Sequence, residues 1–196
     1  MRSALTAIAL IASAATAWSA PAEKPLPAWY AKAVKSFEAK FEPAEAKPGQ
    51  TVTLKVTLAL APGHYTYAVK QTDKVALELG IMNGIKYPEA GSVIFVGETI
   101  DPPNPKLKAM PELGIKSLKT YSGTLIYERA VVVNPAQQPG EFAVKIPEVR
   151  LNICNANDCF PMQKLPLEAT LKVLAGPAVS IDEKYADEVK KALEKK

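Results

Sequence analysis

The run TVTLKVTLAL, Thr51–Leu60, alternates without a break: Val52, Leu54, Val56, Leu58 and Leu60 fall on one side, Thr51, Thr53, Lys55, Thr57 and Ala59 on the other. Successive side chains of a strand point to opposite faces, so a period of two predicts a β-strand with one face against a core. Pro48-Gly49 supplies the turn before it. The same logic predicts strands at 37–41, 65–69, 75–79, 93–96, 124–133, 141–146, 148–154 and 165–174. Short strands separated by turn residues, without strand–helix alternation, predict an all-β chain, an immunoglobulin-like antiparallel β-sandwich.

Two stretches depart from that pattern. Residues 97–118 contain Pro102, Pro103, Pro105 and Pro111 and run longer than connections in compact domains usually do. They predict either a functional flap or a loose insertion. After the last strand, Ser180 and Glu183 have capping-box spacing, and Ile181, Tyr185, Val189 and Leu193 recur every four residues. A short amphipathic C-terminal helix follows for 176–196. Its narrow apolar stripe suits docking on its own sandwich better than gripping a partner.

Composition removes several function classes. The 196 residues are 48% hydrophobic and 22% charged, which excludes bulk disorder, and 17 prolines against a usual share of about 5% favour strands and loops over a helix bundle. The net charge is +4, but only three arginines, Arg2, Arg129 and Arg150, stand among many lysines. That is poor equipment for bidentate phosphate or base recognition, so nucleic acid is not an expected partner. The two cysteines, Cys154 and Cys159, exclude an elaborate disulfide framework and a four-cysteine zinc site. No cofactor is expected.

Met1-Arg2, an apolar run over 4–17 and the A-x-A pattern Ala15-Thr16-Ala17 predict a secretory signal peptide over 1–17, with cleavage as late as residue 20 also fitting the pattern. The run is shorter than the roughly 20 residues that span a bilayer, and no later stretch approaches that length, so no transmembrane segment is expected. The expected layout is an extension over 18–36, a single domain over 37–175 and the helix over 176–196. A periplasmic or extracellular destination permits a disulfide.

Within 148–154, Val149, Leu151 and Ile153 share one face, while Glu148, Arg150, Asn152 and Cys154 share the other. Cys154 is therefore expected to point away from the apolar face. Asn155-Ala156-Asn157-Asp158 reads as a hairpin turn that returns Cys159 beside Cys154, where the two can bond, and Phe160-Pro161 then stops the ladder and screens the sulfurs on one side. Closing so short a loop contributes only about 2 kcal/mol through chain entropy, so a stapling role is weakly motivated. Spacing alone leaves a structural clip and a redox pair open. Copper(I) held by both thiolates with Met162 or His64 is a further reading. A papain-like nucleophile needs a histidine base, and the only histidine, His64, follows the Pro62-Gly63 turn.

Taken together in order, Pro48-Gly49-Gln50-Thr51-Val52, Gly63-His64-Tyr65-Thr66-Tyr67, Tyr121-Ser122-Gly123 and the C-x4-C-Phe-Pro hairpin resemble the N-terminal periplasmic domain of the thiol:disulfide interchange protein DsbD, over about 37–173. The resemblance implies an immunoglobulin-like domain with one reversible disulfide that relays reducing equivalents. A thioredoxin-like domain would reduce the pair, and the dithiol would reduce periplasmic partners such as disulfide isomerases and cytochrome c maturation factors. It implies that Cys159 forms the mixed disulfide, that Cys154 resolves it, and that Tyr65 and Tyr67 pack beside the sulfurs, with Tyr121 closing the cap loop.

Chemistry agrees with such a role, since exchange needs an accessible sulfur, a thiolate fraction and a second thiol nearby. Asp158 beside Cys159 disfavours the thiolate and leans the couple toward being a reductant. Two departures stand out. The acidic residues and phenylalanine of the family's cap loop are replaced by Leu118-Lys119-Thr120, leaving the proline-rich stretch to supply shielding. The chain also lacks the membrane and thioredoxin-like domains of the full-length protein, so its electron donor, a thioredoxin-like periplasmic protein or a membrane electron-transfer protein, is expected to act in trans. The rivals are a non-catalytic secreted interaction module with a structural disulfide and a copper-binding accessory protein.

Overall fold

The computed structural model describes residues 25–195. The expected signal peptide over 1–17, and the first part of the extension over 18–36, lie outside the described residues. In chain order, α1 (Ala28–Ala33) leads into β1 (Val34–Glu42), β2 (Glu45–Ala46), β3 (Thr51–Leu60) and β4 (Tyr65–Tyr67). Then come α2 (Lys74–Glu78), β5 (Gly84–Lys86), β6 (Val93–Ile100), β7 (Lys106–Met110) and β8 (Ile115–Tyr121). The chain finishes with β9 (Thr124–Val133), β10 (Gly140–Leu151), β11 (Ile153–Cys154), β12 (Gln163–Val173) and α3 (Glu183–Glu194).

Strand β3 behaves as its alternation dictates. Val52, Leu54, Val56, Leu58 and Leu60 are all buried, and each such side chain contributes roughly 1.5–3 kcal/mol by leaving water. It sits between β1 and β9 in an antiparallel sheet of order β1-β3-β9-β6. A second sheet, β2-β12-β10-β5, is antiparallel apart from the short parallel β2–β12 pairing. Phe41, Leu54, Leu58, Tyr127 and Val131 of the first sheet share one core with Ile146, Val149, Leu151 and Leu171 of the second. The chain is thus an immunoglobulin-like antiparallel sandwich with a short C-terminal helix. A third small sheet, β11-β4-β8-β7, carries the cysteine hairpin.

The C-terminal helix docks on its own sandwich. Val189, 1% exposed, packs with Ile181, Tyr185 and Leu193 against Ile94, Val96 and Val132, on the face of the first sheet opposite the main core. Its cap is Asp182, which accepts the Lys184 amide, and not Ser180, whose capping-box spacing falls two residues early.

Three expectations need correction. The segment expected as a strand over 75–79 lies instead in the helix α2, Lys74–Glu78, and its C-cap Leu79. The Asp73 carboxylate accepts the Val75 and Ala76 amides at 3.0 and 3.2 Å, and only Ala76 of the five helical residues is buried. A local cap here overrides a weak alternation. Residues 97–118 are not a loose insertion: β6 continues to Ile100, and β7 and β8 pair as an antiparallel hairpin. Three of the prolines fall in the link over 101–105, and Pro111 opens the tight turn Pro111–Leu113, closed by Gly114 at φ +75°. The prolines mark the joints of the hairpin, where no ladder hydrogen bond is lost. Finally, 141–146 and 148–154 are not two strands divided at Pro147. β10 runs through with a register shift between Ile146 and Val149, and the true break is at Asn152.

That break has a topological meaning. The last pair joining β10 to β12 is Leu151 with Gln163, so residues 152–162 are one excursion from the tip of that hairpin into the third sheet.

Candidate functional site

In the third sheet, Ile153 pairs with Thr66 and Thr66 with Tyr121, while Cys154 pairs with Tyr65 and Tyr67 with Thr120. Alternation then sends Ile153 and Tyr121 into the main core and Tyr65, Tyr67 and Cys154 to the other side. Cys154 does point away from the sandwich core, as its strand face dictates, yet it is not left in water. It is 0% exposed, sealed in a second small core with Tyr67, Ala76, Ile115 and Leu118. The β7–β8 hairpin and α2 supply that cover.

The turn after Cys154 closes as a hairpin. The Asn155 amide donates to the Asp158 carbonyl at 2.8 Å, and the amides of Asn157 and Asp158 both donate to Asn155 Oδ1 at 2.8 Å. Asparagine is well suited to such self-capping turns. Phe160 donates its amide to the Ile153 carbonyl at 2.9 Å, and the two Sγ atoms lie 2.04 Å apart, at disulfide-bonding distance. Cys159 and Asp158 are exposed, as is Pro161. The two halves of the disulfide therefore differ: one is walled in and the other faces solvent.

Tyr67 reaches both sulfurs, with its hydroxyl 3.1 Å from Cys154 Sγ and 3.5 Å from Cys159 Sγ. Burial, reinforced by the neighbouring Tyr65, pushes its phenol far above the ordinary value, so it stays a protonated donor. The Tyr65 ring meets the Tyr67 ring edge-on at 6.0 Å, and Lys108 of β7 donates to the Tyr65 hydroxyl at 2.8 Å. On the other flank, Phe160 stacks on Trp29 of α1 at 4.5 Å and lies 5.9 Å from the His64 ring. Tyr121 is not brought beside the sulfurs: its side chain is part of the main core, its phenol pushed up to about 12 by burial and then by Asp101.

The chain is similar to the N-terminal periplasmic domain of ScsB from Proteus mirabilis. The two share 16% identity with a TM-score of 0.41, over 78% of this chain and 51% of that one. The chain thus spans about half the length of that solved structure. Neither a protein-family model nor a curated protein matches the chain.

A buried polar network, unforeseen from the sequence, holds the site together. Asn83, 2% exposed, donates from Nδ2 to Thr66 Oγ1 and to the Tyr67 carbonyl, both at 2.8 Å, and accepts the Asn152 amide at Oδ1 at 2.9 Å. Thr66 donates to the Asn152 carbonyl at 2.6 Å, and Asn152 Nδ2 donates to the Met82 carbonyl at 2.6 Å. Tyr127 donates to the Tyr67 carbonyl at 3.1 Å. The backbone groups freed where the chain changes sheets are thereby satisfied, as buried polar groups must be. The only hint in the sequence is two asparagines next to apolar strand residues.

His64 Nδ1 lies 3.2 Å from the Pro62 carbonyl, and Met162 is 45% exposed. Among the described residues no three His, Cys, Asp or Glu side chains converge as a metal site. Among the same residues no helix is long and apolar enough to cross a membrane.

Proposed function

We propose that this chain is a periplasmic thiol-disulfide interchange domain that relays reducing equivalents through Cys154 and Cys159. The observation that carries the reading is the unequal burial of the pair: Cys159 is exposed, while Cys154 is sealed and has the Tyr67 hydroxyl 3.1 Å away. An incoming thiolate attacks Cys159 Sγ, its sulfur bonds to that atom, and the electron pair of the old S–S bond leaves on Cys154 Sγ. The Tyr67 hydroxyl hydrogen-bonds the Cys154 thiolate as it forms, and a proton from water completes the thiol. A second thiolate of the same partner displaces Cys159, so that the partner ends as a disulfide and this domain as a dithiol. In the reverse direction Cys159 attacks a partner disulfide and Cys154 resolves.

The signal-peptide pattern over 1–17 and the order of motifs support the compartment and the family, the DsbD N-terminal domain, with 37–175 as the exchange domain and thioredoxin-like proteins or a membrane electron-transfer protein as electron donors. Asp158 beside Cys159 leans the couple toward the reducing side. A stapling role explains less, because a loop this short adds only about 2 kcal/mol to a domain that already has a full core. The test is to mix the oxidised protein with excess reduced thioredoxin and count alkylated thiols. Two modified cysteines, and a mixed disulfide on Cys159 in a Cys154→Ser variant, are the expected result. A disulfide that survives until the protein is denatured would leave a scaffold role in its place.

A further inference from the structure

The turns between β3 and β4 and between β8 and β9 form an open cleft of ≈ 570 Å³. Its titratable lining is Lys35, His64, Tyr65 and Lys106, joined by the hydroxyls of Ser122 and Thr124, and no carboxylate lines it. Lys35 and Lys106 are exposed, and among the described residues neither has a carboxylate within ion-pair distance. Lys40, Lys55, Lys70, Lys164, Lys172 and Lys184 are each paired elsewhere on the molecule. Two lining residues join the cleft to the cysteine hairpin: Tyr65 is the cross-strand partner of Cys154, and His64 faces the ring of Phe160, the residue after Cys159. Lys106 and Lys108 lie on the disulfide side of the small sheet, since they pair with Thr120 and Leu118, on the side of Tyr67 and Cys154.

We infer that this cleft docks an acidic segment flanking the reactive cysteine of a protein partner, and so steers that cysteine onto Cys159. The inference rests on the exchange reading of the disulfide. A concave site with unpaired positive charge and no competing carboxylate concentrates field and raises the encounter rate of an oppositely charged partner. Lysines are flexible point charges, suited to carboxylates spread along a segment, whereas the absence of arginine from the lining argues against a fork that grips one phosphate. Docking beside the exposed sulfur leaves the covalent step unchanged: partner sulfur to Cys159, electron pair to Cys154.

The test uses a dye-labelled peptide with glutamates flanking a serine, and the same peptide with lysines in their place, against the oxidised full domain. Fluorescence anisotropy is compared for the wild type, Lys35→Glu/Lys106→Glu, and Lys145→Glu/Lys172→Glu, which makes the same change in net charge on the second sheet. The acidic peptide is expected to bind the wild type about tenfold more tightly than the cleft variant, and to lose that advantage at about 0.5 M NaCl, where screening is nearly complete over roughly 4 Å. The second-sheet variant keeps wild-type binding. Equal losses in both variants, or equal binding of the two peptides, would overturn the docking site, since net charge or mere stickiness would then explain the result.

Opening of the disulfide by dithiothreitol, a neutral reductant, is followed in parallel. If it stays closed while the acidic peptide still discriminates the cleft variant, the exchange reading falls and the acidic-segment site stands. If it opens in every variant and the peptide does not discriminate, exchange stands and the docking site falls. With cysteine restored in the acidic peptide, its reduction rate is expected to fall about tenfold in the cleft variant while the dithiothreitol rate is unchanged.

Discussion

The Tyr67 hydroxyl lies 3.1 Å from Cys154 Sγ, the sulfur that the fold buries. Because burial and then Tyr65 hold that phenol protonated, it is a hydrogen-bond donor placed where negative charge develops when the disulfide opens. A hydrogen bond to a charged group contributes about 1.5–3 kcal/mol. Tyr67→Phe is therefore expected to slow reduction of the disulfide by dithiothreitol by at least about tenfold, since about 1.4 kcal/mol is a factor of ten in rate. With a phenol pKa raised far above the ordinary 10.0, the deficit should stay constant from about pH 6 to pH 9, below any phenol ionisation. An unchanged rate constant in stopped-flow measurements would remove Tyr67 from the chemistry.

Leu118 is 0% exposed and shares the small core that seals Cys154. Truncating it opens space directly over the buried sulfur. In the reduced wild type, Cys159 is expected to alkylate first and Cys154 much later. In Leu118→Ala the Cys154 rate should approach that of Cys159, at a stability cost of about 2–4 kcal/mol in urea unfolding. Mass spectrometry of partially alkylated protein separates the two sites, and an unaltered order of modification would mean that the cover lies elsewhere.

Asp73 joins two elements of the cover. Its carboxylate caps α2 through Val75 and Ala76 and accepts the Lys116 and Ser117 amides of β8 at 2.9 and 3.2 Å. These backbone hydrogen bonds, that of Ala76 first and that of Lys116 second, hold its pKa below the ordinary 3.8. A carboxylate whose pKa is lowered in the folded state adds stability that is complete above its unfolded value and is lost as the pH falls through the folded one. Acidification below about pH 4 should thus loosen α2 and the β7–β8 hairpin ahead of the sandwich. Hydrogen exchange at the Lys116 and Ser117 amides reads this directly; Asp73→Asn should show the same loosening at neutral pH and lose its dependence on acid.

Legibility of this fold in the sequence followed the strength of the local signal. Thr51–Leu60 and Thr124–Val133 are long, regular and one-sided, and both strands have the boundaries their patterns predict. The 155–158 turn is equally plain, because Asn155, Asn157 and Asp158 within four residues leave the backbone few alternatives. Residues 75–79 misled because Val75, Leu77 and Leu79 mimic a strand, while Leu77 and Leu79 are in fact 43% and 54% exposed. What decides that segment is the Asp73 carboxylate two residues before it. The cover over Cys154 was hidden for a related reason: Ile115 and Leu118 belong to a region dense in prolines, which reads as loop until the prolines are seen to occupy the joints of a hairpin. The network around Asn83 leaves little more than two asparagines beside apolar residues to read, since its members are spread from Thr66 to Asn152 and only the folded chain brings them together.

The chain leaves the β10–β12 hairpin after Leu151 and rejoins it at Gln163. Both cysteines thus travel on a detour whose entrance and exit are neighbours, so its length and chemistry can be altered without re-registering the strands beneath. A segment of this kind is portable. Grafted between the same two strands of another sandwich, it would need a strand edge for Ile153 and Cys154, polar partners for the Asn152 backbone, a pocket for one sulfur and a phenol to meet it.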